Sequence, residues 1–183
     1  MARLTDLWEL AGSQHGYVTT ADALAYGVTG TALVKAADRR RLERTAYGVY
    51  RFPEFPHEAI DAYVLATLWP AKRGVLSHET ALQIHELCDI EPERIHITVP
   101  RSYRIRRRGG EAYTVHHEDL DDPDLTWFEG VRIVTPAKAI RQAIASAVAP
   151  HLVAVAIANA RKRGRIAPDL AAELDGLLRR ADV

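Results

Sequence analysis

The stretch TTADALAYGVTGTALVKAADRRRLERTAYGVYR, running from Thr19 to Arg51, decides the fold. Thr19 followed by Asp22 has the spacing of a capping box, in which a hydroxyl and a carboxylate satisfy each other's backbone N–H groups at a helix start. A short helix is predicted from about Thr20 through Ala23, Leu24 and Ala25 to Gly27, the residue type that best tolerates a left-handed C-terminal position. After the apolar Val28, Thr29 offers a second N-cap. In the helix that follows, Leu33, Ala36, Ala37 and Arg40 fall on one face, and Thr31, Lys35, Asp38 and Arg39 on the other. Leu42 to Thr45 and Val49 to Phe52 are strand-like runs around Ala46-Tyr47-Gly48, which reads as a hairpin with Gly48 supplying the turn.

Working outward, Thr5 can cap an earlier helix whose Leu7, Trp8, Leu10 and Ala11 recur at helical spacing until Gly12 and Ser13. Three helices and a hairpin are the parts of a winged helix-turn-helix, whose second motif helix lies in the DNA major groove. Arginines at the end of that helix, Arg39, Arg40 and Arg41, and Arg44, Tyr47 and Arg51 in the wing would straddle the phosphate backbone. Thr31, Lys35 and Arg39 could reach bases beside the Thr29 cap. Asp38 would repel phosphate unless paired with Lys35 or an arginine.

Pro53 and Pro56 bracket Phe55 and disfavour regular structure, placing a linker at 53–57 between a winged-helix domain, 1–52, and a second domain, 58–183. There, helices are expected from Glu58 to Trp69 and from Ser77, as N-cap, to Leu87, followed by the alternating strand Ile95 to Val99. Two hairpins should follow. One pairs Tyr103–Arg108 with Ala112–His116 around Gly109-Gly110, and the other pairs Leu125–Phe128 with Val131–Val134 around Glu129-Gly130. Thr135-Pro136 opens a helix, and further helices run from about 151 to 163 and from Pro168 to Arg180, with Gly164 between them. The fold class is α+β: an N-terminal winged helix, then a mixed α/β domain with short antiparallel hairpins and C-terminal helices.

Lysines and arginines number 24 and so do the acids, so the total charge favours no polyanion. The charges are nevertheless segregated. Arg101, Arg104, Arg106, Arg107 and Arg108 occur without an intervening acid, and Glu118, Asp119, Asp121, Asp122 and Asp124 follow them. On a hairpin Arg104, Arg106 and Arg108 would share one face. That makes 101–108 a candidate second basic surface, equally readable as an extension of a DNA footprint, a contact for an acidic protein, or a solvated edge that discourages aggregation. Arg161, Lys162, Arg163 and Arg165 at a helix end read as charge complementing the dipole.

Cys88 is the single cysteine, in a helical-looking stretch, so neither an internal disulfide nor a thiolate zinc framework is expected and a reducing compartment fits. No signal sequence or spanning segment is read, because Val148–Ala160 is short and interrupted. The expectation is a soluble, cytoplasmic protein. Catalytic constellations fail on spacing. His78-Glu79 begins like a zincin motif, but position 82 is Leu and His85 lies two turns away. His116 and His117 fall on opposite faces of a strand. No Glu-x-Lys, phosphate loop or Gly-x-Ser-x-Gly elbow occurs. The expectation is no enzyme, no metal and no cofactor.

Certain motifs carry a family resemblance. His15-Gly16-Tyr17-Val18-Thr19-Thr20, Tyr26-Gly27-Val28, Arg41-Leu42-Glu43-Arg44 and Tyr47-Gly48-Val49-Tyr50-Arg51 resemble the N-terminal domain of the AbiEi abortive-infection antitoxins. Leu76-Ser77-His78-Glu79-Thr80-Ala81-Leu82, Ile95-His96-Ile97-Thr98-Val99-Pro100 and Gly130-Val131-Arg132-Ile133-Val134-Thr135-Pro136 resemble the domain that follows in that family. The resemblance implies the antitoxin half of a type IV toxin-antitoxin pair. Its winged helix would bind repeats in the operon's own promoter, and its second domain would counter a nucleotidyltransferase-like toxin. The alternatives are a stand-alone winged-helix transcription factor and a metal-dependent nuclease using Asp121, Asp122, Asp124 and nearby histidines.

Overall fold

The computed structural model describes residues 4–181, which divide into two compact units. The first comprises the chain up to Gly74 with 103–111 and 129–131; the second comprises 75–102, 112–128 and the chain from 132 onward.

The first unit begins with α1 (Leu4–Gly12), within which Thr5 is a helical residue rather than the cap. Its apolar side buries Leu7 and Ala11. Next come β1 (Tyr17–Thr19), α2 (Thr20–Ala25) and α3 (Gly30–Asp38), then the wing strands β2 (Glu43–Ala46) and β3 (Val49–Arg51). The local signals act as their chemistry dictates. Thr19 Oγ1 accepts from Asp22 N at 3.1 Å and Asp22 Oδ2 accepts from Thr19 N at 2.8 Å, closing the capping box. Thr29 Oγ1 accepts from Ala32 N at 3.2 Å at the start of α3. Gly48, at φ 70°, supplies the wing turn.

Strand β1 is not legible as a strand. Its three residues are all buried and show no alternation, and it is defined by long-range pairing, Val18 opposite Tyr50, in the sheet order β1-β3-β2. Leu7, Val18, Leu33 and Leu42 fill the space between helices and sheet. Burying each such side chain contributes about 1.5–3 kcal/mol. Trp8 packs edge-on against Phe52, ring centroids 5.2 Å apart, and also meets Phe55 at 4.7 Å. The helix expected from Glu58 starts later, as α4 (Asp61–Leu68), and it stops just before Pro70.

The second unit holds a five-stranded sheet of order β6-β5-β4-β8-β7, from β4 (Val75–Leu76), β5 (Ile95–Val99), β6 (Tyr113–His117), β7 (Leu125–Phe128) and β8 (Val131–Val134). The hairpin expected around Gly109-Gly110 is absent. Strand β6 runs parallel to β5, from Ile95 opposite Tyr113 to Val99 opposite His117, and residues 103–108 form no strand. A parallel pair needs a long crossover, and 100–112 supplies it, so the glycines punctuate a connection rather than a tight turn. The hairpin around Glu129-Gly130 does form, with both residues at positive φ, 46° and 80°, as a two-residue loop of that hand requires.

Helices α5 (His78–Ile84), α6 (Pro136–Ala145), α7 (Pro150–Lys162) and α8 (Pro168–Ala181) complete this unit. Thr135 caps α6, accepting from Lys138 N at 3.4 Å. Ser77 precedes α5, but its hydroxyl does not cap it. It instead accepts from Thr98 Oγ1 at 2.8 Å and lies 3.0 Å from His78 Nδ1. Because α5 ends at Ile84, Cys88 follows the helix; burial first, then nearby carboxylates, push its thiol pKa up.

Candidate nucleic-acid interface

Helix α3 is seated by Leu33 and Ala36, both buried, which leaves Thr31, Val34, Lys35 and Asp38 exposed along the opposite side. Helix α2 is fixed beneath it. The Asp22 carboxylate that closes the capping box also accepts from Lys72 Nζ at 2.8 Å. Burial works to raise the Asp22 pKa, but the hydrogen bonds from Lys72 and Thr19 outweigh it and hold the carboxyl below its usual range. Lys72 also donates to Gln14 Oε1 at 2.9 Å, so one ammonium ties the segment after α4 to the helix-turn-helix.

The arginines after α3 build its end. Arg41 N donates to Ala36 O and Arg40 N to Ala37 O, both at 2.9 Å, with Arg40 at φ 55°. This is a Schellman closure with arginine at the left-handed position that glycine usually occupies. Arg39, Arg40, Arg41 and Arg44 are all exposed, and with Lys35 they put a cationic ridge on the surface of α3 and β2. Among the described residues Asp38 makes no ion pair, so neither Lys35 nor an arginine neutralises it. Tyr47 at the wing tip is 62% exposed, and the Arg44 guanidinium lies 5.8 Å from its ring centroid.

Arg51 is the correction. It was expected on the wing surface, but its side chain is fully buried. Its Nη2 donates to Phe55 O at 2.8 Å and to Pro56 O at 2.6 Å, Asp61 Oδ2 lies 3.7 Å away, and the guanidinium sits 5.6 Å from the Tyr17 ring. Packing beyond the hairpin explains the inversion. Arg51 lies on the middle strand, opposite Tyr17 and Glu43, and the 53–57 segment and Asp61 of α4 close over its side chain, which in turn pins that segment.

The arginine-rich segment also lies elsewhere than expected. Residues 103–111 belong to the first unit. Arg107 Nη1 donates to Tyr47 O and Trp69 O, each at 3.2 Å, and its guanidinium lies 5.5 Å from the Tyr47 centroid. Arg104, Arg106 and Arg108 are exposed beside it, whereas Arg101 stays with the second unit. Nothing local in the sequence marks this docking, because Tyr47 and Arg107 meet only through the tertiary fold. An open cleft of ≈ 380 Å³ on this unit is bounded by Thr20, Gly30 and Val34 on the helices and by Arg44, Tyr47 and Arg107 on the wing side.

The three-stranded sheet, the capped helix pair and the wing identify the architecture. Residues 6–53 match the AbiEi antitoxin family of transcriptional regulators. The AbiEi match covers α1 through the wing and ends at Pro53, so it speaks for the winged helix. No curated protein sequence matches the chain. Among solved structures, the crystal structure of the RV2827C protein from Mycobacterium tuberculosis aligns with a TM-score of 0.47 at 14% identity, covering 97% of this chain and 82% of that one.

Outside the AbiEi-matching domain, the second unit gathers its buried polar groups in one place. The His78 and His116 rings stack with centroids 3.4 Å apart, and His116 Nε2 lies 3.2 Å from His96 Nδ1. Gln142 accepts from His78 N at 3.1 Å and donates to Glu118 at 2.7 Å. Lys138 bridges Glu118 at 2.7 Å and Asp124 at 3.2 Å. The histidines lie against one another rather than converging on a point. Among the described residues no group of three or more His, Cys, Asp or Glu could hold a metal ion. No helix among them is long and apolar enough to cross a membrane.

Proposed function

We propose that the chain is the antitoxin of a type IV toxin-antitoxin pair, acts without enzymatic activity, and represses its own operon. The winged helix would bind double-stranded promoter DNA, and the chain beyond residue 57, chiefly its second unit, would counter a nucleotidyltransferase-like toxin in the cytoplasm. The observation that carries the reading is the exposed cationic ridge on α3 and the wing within the segment that matches the AbiEi regulators. In this reading Thr29, Thr31, Lys35 and Arg39 face bases, while Arg40, Arg41, Arg44 and Tyr47 face the backbone. Phosphate contacts supply sequence-independent, salt-dependent affinity, and base contacts supply discrimination of about 1–3 kcal/mol each.

The test is fluorescence anisotropy of the full chain on a duplex from upstream of its own gene and on a scrambled duplex, at two salt concentrations. Binding should favour the upstream duplex, and Arg39→Ala should narrow the gap between the two. Equal affinity for both, unchanged by Arg39→Ala, would defeat the DNA reading. Co-expression with the neighbouring gene's product then separates antitoxin from stand-alone regulator: growth restored by this chain supports the former, and growth unaffected by it supports the latter.

A further inference from the structure

The wing tip carries more cation than its own hairpin encodes. The exposed ring of Tyr47 has the Arg44 guanidinium 5.8 Å from its centroid and the Arg107 guanidinium 5.5 Å from it. Arg44 comes from β2, two residues after the Arg41-Leu42 step; Arg107 comes from a segment far along the chain. That segment is fixed on this unit at several points. Trp69 Nε1 donates to Arg108 O at 2.9 Å, and the Arg73 guanidinium lies 4.6 Å from the Tyr103 ring. Gly110 lies so close to Trp69 that an added Cβ would sit 2.7 Å from the indole. The Arg107 bonds to Tyr47 O and Trp69 O complete the attachment. Such anchoring orders the backbone between Tyr103 and Gly110, so Arg106 and Arg108, both exposed, project from a fixed edge rather than from a free loop.

Holding Arg44 and Arg107 against one exposed aromatic, with the exposed Arg106 and Arg108 flanking Arg107 in the chain, is repulsive in the isolated protein, and a polyanion laid against these charges relieves that repulsion by displacing its own counterions. Guanidinium stacked on an aromatic face keeps its remaining donors available for phosphate oxygens. We propose that 103–108 is a second arm of the DNA interface, clasped to the wing through Arg107 and Tyr47. Through Arg106 and Arg108 it contacts phosphates of the duplex that α3 reads. The arm is sequence-independent: it lengthens the footprint and adds affinity without adding discrimination. This inference rests on the DNA-binding reading above, and it assigns the arm to double-stranded DNA rather than to an acidic protein.

The experiment compares the full-length chain with the Arg106→Ala/Arg108→Ala double variant on upstream and scrambled duplexes across a salt series. The arm predicts weaker binding to both duplexes by the same factor, on the order of tenfold, and a salt slope shallower by about two, with the preference between duplexes unchanged. Both side chains are exposed, so the melting temperature should not move; should the double variant fold poorly, Arg106→Ala alone is expected to lower the slope by about one. An unchanged slope and affinity in a chain that still prefers its upstream duplex overturns the arm and leaves the winged-helix reading standing. Loss of preference in the unsubstituted chain would instead defeat the reading on which the arm depends. A variant with unchanged DNA binding that no longer restores growth beside the neighbouring gene's product reassigns the arm to a protein partner and overturns the proposal.

Discussion

Arg40 holds a left-handed backbone conformation that costs a non-glycine residue roughly 1 kcal/mol, although glycine at this Schellman position would relieve the strain. Keeping an exposed arginine there is reasonable if its side chain is used for binding, since strained residues cluster where function holds them. Arg40→Gly should therefore raise the stability of the chain by about 1 kcal/mol in chemical denaturation while weakening binding to duplex DNA. Affinity equal to that of the unsubstituted chain would remove Arg40 from the interface. Arg51 illustrates the opposite relation between charge and place. Its guanidinium is fully buried against two carbonyls and Asp61, and Nε and Nη1 have no hydrogen-bond partner. Removing one side of a buried, paired charge typically costs about 3–5 kcal/mol, because the other side is left uncompensated. Arg51→Ala should lose stability on that scale, whereas the exposed Arg44→Ala should lose almost none and instead lose DNA affinity. Equal melting temperatures for the two variants would contradict the burial argument. The sequence alone could not separate these two arginines, since both sit in strand-like wing residues and only the tertiary packing of the 53–57 segment and Asp61 against Arg51 decides which one is buried.

At the scale of elements, the histidines that α5, β5 and β6 bring together make the second unit acid-sensitive. Burial first, then the charges of His116, His96 and Lys138, push the His78 pKa down to about 3; burial first, then His96 and more weakly His117, push His116 down to about 4, against the pull of Glu118. Burial likewise lowers His96, with Glu79 opposing it. Their ordinary value is 6.5, so below that pH the unfolded chain takes up protons that the folded chain refuses, and stability falls as the solution is acidified from about pH 6.5 toward 4. The melting temperature should drop between pH 7 and pH 5. His116→Asn should be less stable at pH 7 yet flatter across that interval, and a profile as steep as that of the unsubstituted chain would refute the assignment. Elements with local chemistry were legible beforehand: the Thr19–Asp22 box, the Thr29 and Thr135 caps, the Gly48 turn and the Glu129-Gly130 hairpin are each complete within a few residues. Elements defined by distant partners were not. Strands β1 and β4 are too short to show a period, and the parallel pairing of β5 with β6 turned an apparent hairpin into a crossover. The histidine cluster was equally hidden, since His78, His96 and His116 lie on three separate elements.

Across the whole molecule the zero net charge conceals a division of labour that sequence runs only hinted at. Thirteen of the 24 lysines and arginines but ten of the 24 acids belong to the first unit, so the unit that carries the winged helix is positive and the other is negative by the same amount. A modest excess of that size gives weak nonspecific attraction, and specific binding must come from geometry. One winged helix presents one α3, and a single recognition helix reads only a few base pairs of one major-groove face. An operator of inverted repeats would therefore take two copies of the chain, with half-sites about one helical turn, roughly 10 base pairs, or a multiple of it apart, so that both helices meet the same side of the duplex. Titrating a short upstream duplex at concentrations well above the dissociation constant should reach its end point at two chains per duplex. Inserting about 5 base pairs between the half-sites rotates one of them by half a turn and should abolish cooperative occupancy, while inserting about 10 should restore it. Cooperativity indifferent to both insertions would mean that the copies bind independently, and an end point of one chain per duplex would mean that the operator is a single site read by α3 and its adjoining arginines alone.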